Sequence, residues 1–323
     1  MNLKKYKLCL GPMSKNIVDS IIDYCNFNDE YIILIPSRRQ IEFNGGYSNN
    51  WTTKDFSEYV KQKSKNILLE RDHGGPGQGL IDDDGLESLK EDCKYFDIIH
   101  IDPWKKYPKY EDGLNKTIEC INYCYNLNKN IFFEVGTEES IRKFDVDELE
   151  RFVCDLQKQL NPKIFNNIKY LVIQCGTSLC EGNNTGQFNH KRLSDMINIS
   201  KKYNLLSKEH NGDWVSKNII KEKYKLGLNS INIAPELGEL ESKVILDLIK
   251  DDNLLFVKMY NLCLNSNKWK KWVNDDFIPN NNKEKLILIC GHYIFSKDDF
   301  KEIIDKIGNI YNDVYKKINF FLK

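Results

Sequence analysis

The chain has 323 residues, 41% hydrophobic and 29% charged, with 47 basic and 47 acidic side chains and so no formal net charge. That length allows one large α/β domain or two smaller ones with a sizeable core, and the charge balance leaves no footprint for nucleic acid or an anionic membrane. No apolar run approaches the ~18–20 residues of a membrane span, and the start, with Lys4, Lys5 and Lys7 before a very short apolar run, does not read as a signal peptide.

Eight apolar, β-rich runs recur along the chain, spaced roughly 25 to 40 residues apart. The first, Lys7–Leu10, is followed by Gly11-Pro12, and the second, Tyr31–Ile35, by Pro36-Ser37-Arg38-Arg39-Gln40. The third, Ile67–Leu69, runs straight into Glu70, Arg71, Asp72 and His73 and then a loop with four glycines. Charges held so close to an apolar core need pairing, hydrogen bonds or a metal. The fourth run, Phe96–Ile101, carries His100 and leads to Asp102. The fifth, Ile131–Phe133, ends in Glu134-Val135-Gly136-Thr137-Glu138-Glu139, and the sixth, Tyr170–Ile173, in Gln174-Cys175-Gly176-Thr177-Ser178. The seventh, Leu205–Leu206, ends in Lys208-Glu209-His210, and the eighth, Ser230–Ile233, in Pro235-Glu236.

Amphipathic patterns over Lys54–Lys65, Leu114–Leu127, Val146–Leu160 and His190–Tyr203 separate these runs. The alternation predicts a parallel sheet, and eight units predict a closed (β/α)₈ TIM barrel over residues 1–250. An open doubly wound sheet is the alternative, but GxGxxG is absent after the first strand. Residues 251–323 read as a mostly helical C-terminal extension packed on the barrel, with Trp269 and Trp272 as packing anchors and Leu286–Cys290 unassigned. Ten scattered cysteines form no CxxC pair, which predicts free thiols in a reducing, cytoplasmic setting and no structural zinc.

In a barrel the polar strand ends share one rim, where active sites of this architecture lie. His73 and His210 are the candidate metal ligands, because neutral imidazole suits zinc and related divalent ions. Glu134 is a third ligand or an orienting carboxylate, and Asp72 a general acid or base. Phosphate-cradling backbone is expected at Gly176, Thr177 and Ser178 and at the segment Asn232 to Glu236. Arg38 and Arg39 either hold a carboxylate or phosphate or neutralise Glu42 and an acidic loop. Lys208 raises the option of a Schiff base, without a visible apolar surround to favour it.

Several segments resemble a known family. Asn44-Gly45-Gly46-Tyr47 and Trp51-Thr52-Thr53-Lys54-Asp55-Phe56 resemble its GGYTGMTPxDF segment, with Gln40 matching a glutamine just upstream. Ile67–Pro76 resembles ILLGGDHLGP, Phe96–Asp102 resembles LHLDAS, Glu209-His210 with Asp213 is similar to EGHSTDYQ, and Ser230–Leu237 resembles the eighth-strand segment. The family is that of the non-catalytic (GatZ/KbaZ-type) subunits of class II tagatose-bisphosphate aldolase. The match runs in order from about residue 30 to 240.

The resemblance implies a barrel related to zinc-dependent class II aldolases, with Asp72, His73, Glu134 and His210 on their metal-site segments and a sugar phosphate as ligand. The family's sixth-strand GTSH reads Gly176-Thr177-Ser178-Leu179 here, so one histidine is missing at its place, and Cys175 or Cys180 is the available substitute. The chain also departs from the family at Arg38-Arg39, Arg71 and Trp104-Lys105-Lys106. The expected function is a metal-dependent aldol cleavage or condensation on a sugar phosphate. The alternatives are a non-catalytic partner that stabilises a catalytic aldolase subunit or self-associates, and a sugar-phosphate epimerase or isomerase.

Overall fold

The computed structural model describes residues 2–323. Its barrel strands are β1 (Leu8–Leu10), β2 (Ile32–Leu34), β3 (Ile67–Gly74), β4 (Ile98–Ile101), β5 (Phe132–Val135) and β6 (Ile168–Val172). A separate antiparallel hairpin follows, β7 (Thr177–Cys180) and β8 (Asn183–Gly186), and the barrel resumes with β9 (Leu206–Glu209) and β10 (Ser230–Ile233). The eight barrel strands pair in parallel in the closed order β1-β10-β9-β6-β5-β4-β3-β2. The fold is the expected TIM barrel with a helical C-terminal extension.

Successive strand residues point to opposite faces, and this pattern sorts the chain into three apolar layers. Cys9, Ile33, Leu68, Ile98 and Tyr170 form a small cluster inside the barrel. Their neighbours in sequence, among them Ile32, Leu34, Ile67, Leu69, Ile99 and Leu171, face outward and pack under the helices in two larger clusters. Helix starts follow local chemistry. Ser14 caps Lys15–Asn28 by accepting the Ile17 N–H at 3.1 Å, and Asp145 caps Val146–Gln159 by accepting the Glu148 N–H at 2.8 Å.

The unassigned apolar run Leu286–Cys290 lies in a helix, Lys283–Cys290, that packs on the helix after β10, Pro235–Ile249. Helices Asn253–Ser266, Asp298–Ile307 and Tyr311–Leu322 complete the extension, and the last packs on Lys15–Asn28. The 3₁₀ segment Lys268–Trp272 brings Lys271 and Trp272 to the rim cavity at the carboxyl ends of the strands. Among the described residues no helix is long and apolar enough to cross a membrane, and all ten cysteines are free.

Candidate metal centre

Alternate residues of the inner face step from apolar to charged to candidate metal ligands. On β3 the series is Leu68, Glu70, Asp72; on β4 it is Ile98, His100; from β9 it is Leu206, Lys208, His210. His73 departs from this alternation. The β3–β4 register shifts between Arg71 and Gly74, and His73 takes a positive φ of 48°. A bulge of this kind re-aims a side chain, and here it lets consecutive residues Asp72 and His73 line the same cavity.

Asp72, His73, His100 and His210 offer ligand atoms that all lie within 4.8 Å of one another. Asp72 Oδ2 is 3.7 Å from His73 Nε2, and Asp72 Oδ1 is 3.8 Å from His100 Nδ1 and 3.7 Å from His210 Nδ1. Four donors bonded at ~2.0–2.1 Å around a tetrahedral ion are about 3.3 Å apart, so this set is somewhat wider than a bound tetrahedron and would draw in around an ion. The other nitrogen of every ring has its own partner. His73 Nδ1 meets Asp102 Oδ2 at 2.6 Å, His100 Nε2 meets the Gly136 carbonyl at 3.0 Å, and His210 Nε2 meets Glu134 Oε1 at 2.6 Å. Metal-binding histidines are held in this way, because the outer partner fixes tautomer and ring orientation.

His210 Nδ1 is buried with no hydrogen-bond partner, an orphan that a bound cation would satisfy. His100 Nδ1 accepts the His73 backbone N–H at a long 3.2 Å, a hydrogen bond that a bound ion would have to displace. The residues present therefore fit a divalent ion with nitrogen and oxygen ligands.

The electrostatics give the cluster an affinity for positive charge, which a metal ion would satisfy by displacing the His73 proton. Burial opposes ionisation of Asp72, but His73, His100 and His210 outweigh it and hold the carboxyl well below the usual range. Burial also opposes charging of His73, yet Asp72 and Asp102 raise it to about 10. An Asp72 held in its ionised form suits a ligand better than the general acid–base role expected of it.

Beneath the cluster, Lys208 Nζ lies between Glu70 and Glu134, all three buried. Burial opposes the Lys208 charge, but the two carboxyls raise its pKa well above normal. An ammonium locked in this state is no Schiff-base nucleophile. Lys208, together with His210, holds Glu134 well below its ordinary value against burial. Glu134 does not line the cavity; it touches His210 and Lys208, the contacts of an orienting carboxylate.

The remaining expected residues divide. Arg39, Gln40 and Asn232 line the cavity of about 390 Å³ above the cluster, and Asn232 Nδ2 reaches Asp72 Oδ1 at 3.4 Å. Gln40 accepts the Ser37 N–H at 2.8 Å and so braces the loop after β2. Arg38 turns away, pairing with Glu42 at 2.6 Å and Asp83 at 2.6 Å and donating to the Gly75 carbonyl. It is the neutralising arginine, while Arg39 remains available to a ligand.

The two expected phosphate cradles already hold carboxyl groups of the chain. The Gly176 N–H donates to Glu139 Oε2 at 3.0 Å, and Thr177 Oγ1 donates to buried Glu209 at 3.1 Å. Ser178 sits in the hairpin rather than in a strand-to-helix turn. The Ala234 and Glu236 N–H groups both donate to Asp213 Oδ1 at 2.9 Å, and the Glu236 carboxyl accepts the Trp214 N–H instead of facing the cavity.

Neither proposed cysteine replaces the missing histidine. Burial pushes the Cys175 thiol up to about 12, and it donates to Glu209 at 2.8 Å; Cys180 lies against Trp272 and Asn274. The third imidazole is His100, whose signal was inward register on β4, two residues before Asp102.

No protein-family model matches this sequence, and no curated protein does. Solved structures match in fold. A probable tagatose 6 phosphate kinase from Sinorhizobium meliloti 1021 is 13% identical, covering 94% of this chain and 86% of its own, with a TM-score of 0.75. The fructuronate-tagaturonate epimerase UxaE from Cohnella laeviribosi is 11% identical over 98% of this chain and 80% of its own, with a TM-score of 0.68. The YdjI aldolase from Escherichia coli K12 is 15% identical over 95% and 93%, with a TM-score of 0.56. These likenesses show the barrel fold and do not single out the tagatose-bisphosphate aldolase subunit family.

Proposed function

We propose that this chain is a divalent-metal-dependent lyase of the class II aldolase type, with zinc as its ion, making or breaking a carbon–carbon bond in a small sugar phosphate. The observation that carries the reading is the convergence of Asp72, His73 and His210 at a cavity wall with buried His100 beside them, the far nitrogen of every imidazole being held by a partner. An aldolase among the solved structures of like fold supports it. A bound divalent ion supplies Lewis-acid polarisation of a substrate carbonyl.

The chain's own residues do the rest. Asp102, the Gly136 carbonyl and Glu134 hold the three rings in place, and Lys208 keeps Glu134 ionised. Asn232 presents its amide beside Asp72 to a substrate oxygen. Glu138, a partly exposed carboxylate on the cavity wall, takes over the proton-moving role expected of Asp72. The complete donor set speaks for an enzyme over a non-catalytic partner.

The test is a cleavage assay of ketose phosphates with protein loaded with zinc, cobalt or manganese, run in D₂O with recovered substrate examined for deuterium. Metal-dependent release of an aldehyde, lost on chelation, is the expected result. Deuterium exchange and stereochemical inversion without cleavage would move the assignment to an epimerase. Metal-free protein that co-purifies with a second barrel would make it a partner subunit.

A further inference from the structure

The amides expected to bind phosphate are taken by Glu139 and Asp213, so an anionic substrate needs its counter-charge elsewhere. Three cations line the same cavity as Asp72, His73 and His210: Arg39 from the loop after β2, Lys105 from the loop after β4, and Lys271 from the C-terminal extension. Among the described residues none of the three forms an ion pair, whereas the next residue, Lys106, pairs with Asp82 at 2.6 Å. The Arg39 guanidinium spends one N–H on the Gly79 carbonyl at a long 3.3 Å. Lys271 lies with its ammonium 4.4 Å from the Trp272 ring centre and 5.3 Å from that of Tyr293.

The three charges act on one another. Burial and then Arg39 and Lys271 lower the pKa of Lys105. Burial and then Arg39 lower that of Lys271 to about 8, with Glu138 as the one carboxylate opposing the shift. Like charges drawn from three separate segments into one cavity are unfavourable without an anion between them.

We propose that Arg39, Lys105 and Lys271 form the cradle for the phosphate of the substrate, in place of the late-strand backbone amides that such barrels ordinarily use. The inference rests on reading this cavity as the substrate site. Charge decides for phosphate over carboxylate. A phosphate monoester carries about −1.5 to −2 near neutral pH, which three cations balance better than they balance a single negative charge. Arg39 offers a planar fork to two phosphate oxygens, and the lysines add point charges.

The test is calorimetric titration of the chelator-treated full chain with inorganic phosphate and, separately, with acetate. Arg39→Met, Lys105→Met and Lys271→Met are compared with Lys106→Met as control. Removing one charge-assisted contact weakens phosphate about tenfold, so each cradle variant is expected to lose that factor and the Lys105→Met/Lys271→Met pair to lose measurable binding. The control is expected to match the parent. Phosphate affinity unchanged in the cradle variants, or acetate bound as tightly as phosphate, overturns the cradle. So does phosphate binding that appears only after metal is restored. Failure of the lyase reading shows instead as a chain that takes up no metal, while phosphate binding to the metal-free chain stands.

Discussion

His100 decides whether the site is complete. In sequence it is one histidine inside an isoleucine-rich strand, and such a residue is usually a satisfied core histidine. Only the closed barrel shows that its inward register sets Nδ1 beside Asp72. Asp102 has an equally hidden role, because a carboxylate two residues beyond a histidine carries no signal until the strands are curved into contact with β3. Asp102→Asn is expected to weaken metal binding by about 10–100-fold while leaving the fold intact, read by competition with a chromophoric chelator. Unchanged affinity would remove Asp102 from the site. Lys208→Met leaves Glu134 and Glu70 buried without their cation, so a loss of about 3–5 kcal/mol in urea unfolding is expected. Borohydride with a ketose phosphate should trap nothing on Lys208, and a trapped adduct there would restore the Schiff-base reading.

At the scale of elements, the eight barrel strands and the helices between them were legible because period 2 and period 3.6 alternate cleanly along the chain. Ser230–Ile233 is found with the same bounds, and the expected helix Leu114–Leu127 begins four residues earlier, at Tyr110. β3 was read too short, since charged Glu70–His73 looked like a loop. Arg71 continues the strand outward, buried against Asp92 with two hydrogen bonds of 2.9 and 2.7 Å. The β7–β8 hairpin was missed because its turn has Glu181 and Gly182 at positive φ, and glutamate lacks the short side chain that marks such turns.

The bulge on β3 gives a sharp test. A Cβ at Gly74 would stand 2.9 Å from the His100 carbonyl oxygen, so Gly74→Ala forces β3 from β4 where two ligands meet. About 1–3 kcal/mol of stability is expected to be lost, together with metal affinity, and retention of both would contradict the bulge geometry.

Glu241, on the helix after β10, is buried and bonded to Ser14 and to Asn16 at 2.8 Å. Burial raises it to about 7 from the ordinary carboxyl value of 4.5. The folded state thus keeps a proton that the unfolded chain releases first, and the favourable contribution is complete below pH 4.5 and lost as pH rises through 7. Glu241→Gln should remove this dependence, gaining on the parent by about 3 kcal/mol between pH 4.5 and 8. Parallel stability profiles for the two proteins would show that the carboxyl is not held protonated.

For the whole molecule, the extension is more than a support. It buries Met259, Cys263, Leu286 and Ile318 in the cluster that holds Ile17 and Leu34, and it brings Lys271 and Trp272 to the cavity. Nothing local in Asn265–Asn282 announces that placement, since its polar, tryptophan-bearing pattern suits a packing loop as well as a cavity wall. The resemblance to aldolase-type subunits implied the same barrel as the strand–helix alternation and pointed to Asp72, His73 and His210, which the structure brings together, but it sought the third imidazole on the sixth strand.

The claim that a divalent ion is held by residues of β3, β4 and the end of β9 is tested most directly by the metal content of the purified full chain beside His100→Ala. One equivalent of zinc or a related divalent ion in the parent, with little or none in the folded variant, is the predicted result. Metal-free parent protein that takes up no ion on reconstitution, or a variant that keeps its full equivalent, would contradict it.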